Sequence, residues 1–284
     1  MKKLLLLLCV AIAAAPALAT TTVALENRTT AAVSLPPGEA DAKARLNMTP
    51  RHGEWQDIEV PGTTQTLRSW VVYPQRSDKA PVVIVIHEIY GLTDWIRGVT
   101  DQLAADGFIA IAPDLLSGKG PNAGGTESFA DRDAVTGAVR GLDKDEVVRN
   151  LNAVRVAGMK LPAAAQKSAT VGFCWGGTKS FEYAIAQPEL NAAVVYYGTS
   201  PEEGFDKINA PVLGMYGAMD NRVNATIPTA ENGMKAAGKT YTPRIFEGAG
   251  HGFLRQQSEQ DGANMKATQT GWPETVKFLQ SNLQ

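Results

Sequence analysis

Six residues, Gly172-Phe173-Cys174-Trp175-Gly176-Gly177, constrain this chain more than any other stretch. They follow an apolar, strand-like run, Ala169-Thr170-Val171, and open a helix-like one from Thr178 to Ala186. Strand, sharp turn and helix in that order make a nucleophile elbow, here with Cys where most such turns carry Ser. A residue on so tight a turn has strained backbone angles. Side chains two before and two after it collide with the neighbouring strand and helix. Gly172 and Gly176 relieve both collisions. The motif locates the chemistry and names the attacking atom, a sulfur.

Around it the chain alternates strand-like and helix-like runs. Residues 56–60 and 66–73 read as two early strands joined by Pro61-Gly62. Continuous apolar runs at 81–86 and 108–112 predict strands buried on both faces, with a helix over 92–105 between them. Residues 115–142 are long and glycine-rich (Gly118, Gly120, Gly124, Gly125), the pattern of a functional cover or a disordered loop. Asp143 and Glu146 stand at capping-box spacing and start a strong helix that ends near Leu161-Pro162. Val147, Leu151, Val154 and Val156 are expected on or near one of its faces. Buried strands follow at 192–197, 211–216 and 241–246, with a helix over 230–237 and a last amphipathic helix over 272–283. Such alternation argues for an α/β fold, a mostly parallel central sheet with helices on both faces. The early hairpin suits the edge of an α/β-hydrolase sheet.

The N-terminus reads as a processing signal. Lys2 and Lys3 precede an apolar run from Leu4 to Ala15, and Ala17-Leu18-Ala19 is a cleavage site. The run is too short to span a bilayer comfortably, and Leu8 before Cys9 argues against a lipoprotein. The expectation is a signal peptide at 1–19, export to a periplasm or the medium, an extension or linker over 20–53, and one domain over 54–284. The sequons at Asn27, Asn47 and Asn224 matter only in a eukaryotic secretory route. Signal removal takes Cys9 with it and leaves Cys174 as the lone cysteine, with no internal disulfide open to it. A hydrophobic content of 44% supplies core enough for a monomer. A net charge of −2 gives no electrostatic case for nucleic acid.

Nucleophilic acyl transfer needs a nucleophile, a base and a carboxylate that orients the base. In α/β-hydrolases these come in that chain order, each on a loop after a strand. Cys174, Asp220 (in Gly217-Ala218-Met219-Asp220) and His251 (in Gly250-His251-Gly252-Phe253) fit both conditions. His87-Glu88-Ile89-Tyr90-Gly91 follows the strand ending at Ile86, where such folds place the second oxyanion donor. The backbone N–H of Ile89 is expected to pair with that of Trp175. Glu88 is unusual there. It either keeps the thiol protonated by like-charge repulsion, accepts a proton when displaced, or simply bonds loop backbone. No metal motif is present, since His52 and His87 lack ligand partners nearby, and no cofactor is implied.

Together with Pro113-Asp114-Leu115 and Tyr196-Tyr197-Gly198, these motifs resemble the dienelactone hydrolase (carboxymethylenebutenolidase) family over roughly Gln56 to Leu283. The resemblance implies a Cys–His–Asp triad, an oxyanion hole from Ile89 and Trp175, and a Glu88 that holds the resting thiol and swings away when substrate binds. It also implies that Arg255 binds a substrate carboxylate, with Arg132 or Arg140 as the second arginine. Tyr90, Trp175, Tyr197 and Phe253 either line an apolar cleft or belong to the core. The expected function is an exported hydrolase of a lactone or small ester, acting through a thioester. An acyltransferase and a non-catalytic binding protein on the same fold are the rivals.

Overall fold

A computed structural model describes Met1 and residues 34–284. The expected signal peptide, Cys9, Asn27 and the start of the extension lie outside the described residues. Eight strands form one sheet in the order β1-β2-β4-β3-β5-β6-β7-β8. They are Gly53–Glu59 (β1), Thr66–Val72 (β2), Ala80–Ile86 (β3), Ile109–Pro113 (β4), Ala164–Phe173 (β5), Ala192–Tyr196 (β6), Val212–Gly217 (β7) and Tyr241–Phe246 (β8). The early hairpin β1–β2 is antiparallel and joins β4 antiparallel; every later pairing is parallel. Apolar β-branched side chains fill β3 to β7 because helices cover both faces. One face carries Ile84, Ile86, Leu151, Val154 and Phe181 in a continuous core. The other buries Val83, Val85, Trp95, Phe173, Tyr196 and Trp272.

The helices are Ala42–Met48 (α1), Asp94–Ala105 (α2), Arg132–Arg140 (α3), Lys144–Lys160 (α4), Trp175–Ala186 (α5), Asn221–Asn224 (α6), Ile227–Ala236 (α7) and Ala263–Leu283 (α8). Asp143 caps α4, its side chain accepting from the Glu146 N–H at 2.9 Å.

Four expectations need correction. Residues 115–142 are ordered: two short 3-10 turns lead into α3, whose Val135 and Val139 pack with Leu116. Strand β8 is half-exposed rather than buried, because it is the sheet's last strand. Pro243 is tolerated there as edge strands tolerate proline. Val156 is 42% exposed and faces away from the core. Helix α8 begins at Ala263 and runs through Pro273, held by the burial of Ala267, Trp272, Val276 and Leu279.

The extension is fastened to the domain from Ser34 onward. Pro37 accepts from the Trp95 indole N–H at 3.0 Å, Pro36 accepts from Gln257 at 3.1 Å, and Ala42 is buried against α2. Among the described residues no helix is long and apolar enough to cross a membrane.

Candidate active site

Parallel strands end on the same side of the sheet, so the loops after β3, β5, β7 and β8 gather at one edge. Gly172 on β5 is the register partner of Ile86 on β3, which sets the elbow beside the Glu88 loop. Cys174 has φ 54° and ψ −115°, a strained conformation for a residue with a Cβ. A Cβ on Gly172 would enter the Gly176 backbone, and one on Gly176 would enter the carbonyls of Ile86 and His87. Both glycines are therefore required by backbone contact.

The Cys174 sulfur lies 3.1 Å from Nε2 of His251, and Nδ1 of His251 lies 2.5 Å from Oδ2 of Asp220. The other Asp220 oxygen accepts from the Val223 N–H at 3.3 Å, so the carboxylate caps α6 while it orients the imidazole. The loops carrying them are tied by the Met219 N–H donating to Ala249 at 3.0 Å. A Cβ on Gly217 would meet the carbonyls of Ala249 and Gly250, so the end of β7 can approach the histidine loop only as glycine.

Backbone N–H groups of Trp175 and Ile89 lie near enough to favour negative charge on the sulfur. The Ile89 amide is presented by a turn that the Gly91 N–H closes on the Glu88 carbonyl at 3.1 Å, with Gly91 at φ 71°. Burial pushes the thiol up to about 11, and the charge of Glu88 adds to that rise. The Trp175 and Ile89 amides and Arg222 pull the other way without reversing it. Cys174 is thus a thiol at neutral pH, facing a base.

Glu88 is 3% exposed, and burial raises its carboxyl to about 7 against the opposing pull of Arg255. It does not hold the thiol, as the resemblance implied. Its Oε2 lies 2.8 Å from Nε of Arg255, and the sulfur turns to His251. Nor is Arg255 open to a substrate carboxylate. Its guanidinium is also paired with Glu39, which lies 2.5 Å from Arg132 as well. The Tyr90 ring sits against both arginines, at 4.1 Å from Arg132 and 5.3 Å from Arg255.

A cavity of about 550 Å³ opens at Cys174, lined by Ile89, Arg140, Trp175, Tyr197 and Arg222 among others. Arg140 lines it; Arg132 and Arg255 do not. Of the four aromatics, Trp175 and Tyr197 line it, Tyr90 stacks on arginines, and Phe253 is fully buried core. A larger groove of about 950 Å³ between β1–β2 and α4 holds neither cysteine nor histidine. His87 is fully buried, its Nδ1 2.7 Å from the Glu88 carbonyl and its ring stacked on Trp175, so it supports the loop.

Sequence reasoning missed three contributors. Arg222, on the short helix α6, follows Asp220 by two residues and faces the cavity, but a lone arginine carries no signal in the sequence. Glu39 lies in the segment read as a linker. Asp114 accepts from the backbone N–H and hydroxyl of Thr126, both at 2.7 Å, and the Thr126 hydroxyl accepts from the Leu92 N–H at 3.0 Å. That relay pins the glycine-rich loop to the segment after the Glu88 turn.

An eight-stranded, mostly parallel sheet with a nucleophile elbow at its centre defines an α/β-hydrolase. The dienelactone hydrolase family matches residues 67–283. A protein of Salmonella typhimurium, provisionally named a carboxymethylenebutenolidase, is 31% identical over 78% of this chain and 84% of its own. A crystal structure provisionally named a dienelactone hydrolase, from Klebsiella pneumoniae, is 26% identical and covers 80% of this chain and 98% of its own, with a TM-score of 0.68. A dienelactone hydrolase-like promiscuous phosphotriesterase from metagenomic libraries shares the fold at 21% identity and a TM-score of 0.70, over 82% of this chain and 99% of its own. The chain belongs to the dienelactone hydrolase family and is a hydrolase of that type.

Proposed function

We propose that the protein hydrolyses a lactone or a small carboxylic ester through a thioester formed on Cys174. The observation that carries this reading is the line of contacts from the Cys174 sulfur to Nε2 of His251 at 3.1 Å and from Nδ1 of His251 to Asp220 at 2.5 Å, with the Ile89 and Trp175 amides nearby. As Sγ attacks the carbonyl carbon, its proton passes to Nε2 of His251. The carbonyl oxygen becomes an oxyanion on the two amides. Collapse expels the alcohol oxygen, which takes the proton from His251 and leaves the acyl group on sulfur. Water then gives a proton to His251 and attacks the thioester, and the departing thiolate recovers that proton. Asp220 keeps Nδ1 protonated throughout, so that Nε2 faces the sulfur. Since the thiol sits near 11, the base is needed during attack rather than before it.

Incubation with p-nitrophenyl acetate should release nitrophenol and leave an acetyl group on Cys174, detectable by mass spectrometry on a quenched sample. Cys174→Ala should lose both signals and keep its melting temperature. Undiminished turnover in that variant would overturn the mechanism. The lysine–apolar–Ala-x-Ala pattern of 1–19 supports an exported setting, periplasmic or secreted. Retention of active protein in the cytoplasm of an expressing bacterium would contradict export.

A further inference from the structure

We infer that Glu39 is a carboxylate supplied by the chain itself to the guanidinium pair next to Glu88, where it excludes acidic substrate groups from Arg255 and Arg132. The inference rests on the reading of Cys174 as an esterase nucleophile and adds a determinant of substrate choice.

The segment bearing Glu39 is fixed from several sides. Its own N–H donates to the Arg255 carbonyl at 2.9 Å, the Trp95 indole donates to Pro37, and Gln257 donates to Pro36. Gly98 of α2 lacks the Cβ that would strike the Pro37 ring. On this backbone, one Glu39 oxygen meets Arg132 and the other meets Arg255. Two guanidiniums on the two oxygens of one carboxylate is the arrangement by which proteins capture a carboxylate ligand. Partial burial opposes the charge on Glu39, and the two arginines overcome it and lower its pKa. Burial likewise opposes the charge on Arg255, and Glu88 and Glu39 overcome it. The Arg255 side chain is only 11% exposed, so no third carboxylate can reach it without displacing one of the two already there. In this cluster two arginines face two carboxylates; Arg140 and Arg222, which line the cavity, stand outside it. By pinning Arg255 against Glu88, the same contact leaves the sulfur to His251.

The test compares full-length wild type with Glu39→Ala and Glu39→Gln, using p-nitrophenyl hydrogen glutarate as the acidic ester and p-nitrophenyl butyrate as the neutral one. In both variants the ratio of kcat/KM for the acidic ester to that for the neutral ester should rise about tenfold, through a lower KM, the scale of one freed charge-assisted contact. Calorimetric binding of glutarate should tighten in parallel, and the gain should vanish in Glu39→Ala/Arg255→Met. An unchanged ratio together with unchanged glutarate binding overturns the inference. The Gln variant keeps the shape of the side chain, so a melting-temperature loss in the Ala variant alone leaves the comparison intact. Glutarate binding does not depend on turnover. A protein with no esterase activity would therefore sink the hydrolase reading while this result still judged Glu39.

Discussion

At the scale of single residues, the site is a set of atoms forced close by backbone geometry. The positive φ of Cys174 throws its sulfur out of the strand line, and the glycines around it let carbonyls of β3 come near. Gly176→Ala should therefore cost upward of about 3 kcal/mol, the range of a buried steric conflict with backbone that cannot move aside, measured by urea unfolding. A loss below a tenth of that would mean the elbow relaxes. Glu88 sits close enough to raise the thiol, and its own carboxyl is raised to about 7 by burial. As pH climbs through 7, Glu88 gains charge and opposes thiolate formation. Glu88→Gln should move the pH midpoint of iodoacetamide alkylation at Cys174 down by about one unit, a charge-removal effect of ordinary size. A midpoint that stays put or rises would contradict that coupling. That Cys174, Asp220 and His251 meet, with Ile89 and Trp175 nearby, was legible in the sequence because each follows a strand and stands in a short glycine-bearing motif. Arg222, Glu39 and the partnership of Arg255 were not, since charged side chains find partners far away in the chain.

At the scale of elements, the errors have a common origin. Glycine content left 115–142 open between a cover and a disordered loop, and one buried carboxylate organises it. Asp114, 2% exposed, takes three hydrogen bonds, from Leu116 and twice from Thr126. Asp114→Ala leaves those donors without an acceptor and should lower stability by about 2–3 kcal/mol. Limited proteolysis should then cut first between Gly118 and Asp131. A variant cut no faster than wild type in that loop would show that α3 and the 3-10 turns hold it without Asp114. The start of α8 was misplaced because Pro273 resembles a first-turn proline. Burial of Trp272 and its neighbours outweighs the one backbone hydrogen bond that the proline removes. Local sequence registers the cost of a proline but not the packing that offsets it.

At the scale of the whole molecule, two acids among the described residues, Asp106 and Glu88, have protons tied to folding. Asp106, at the end of α2, accepts from the Trp272 indole on α8 at 2.9 Å and from Gln102, and burial raises it to about 6. Glu88 is raised to about 7 by the same cause. Both folded-state values lie above the unfolded ones, so the folded protein retains protons that the unfolded chain releases. The stability they contribute is fullest below about pH 4 and is lost as pH rises through 6 and then 7. Urea stability should thus decline between pH 5 and 7.5, and Asp106→Asn should flatten part of that decline. Parallel slopes for the two proteins would remove Asp106 from the explanation.

The sequence by itself determined the order of the strands, the helices between most of them, and the elbow with a cysteine at its tip, because periodicity and tight-turn chemistry are local and act on neighbouring residues. Only the tertiary structure decided that the segment before the first strand supplies a carboxylate to Arg255, that Glu88 pairs with an arginine, and which arginines face the cavity. Those outcomes depend on which charges meet after the chain has folded back over more than two hundred residues, as Glu39 and Arg255 do. Coulomb attraction acts through space and leaves no periodic trace along the chain.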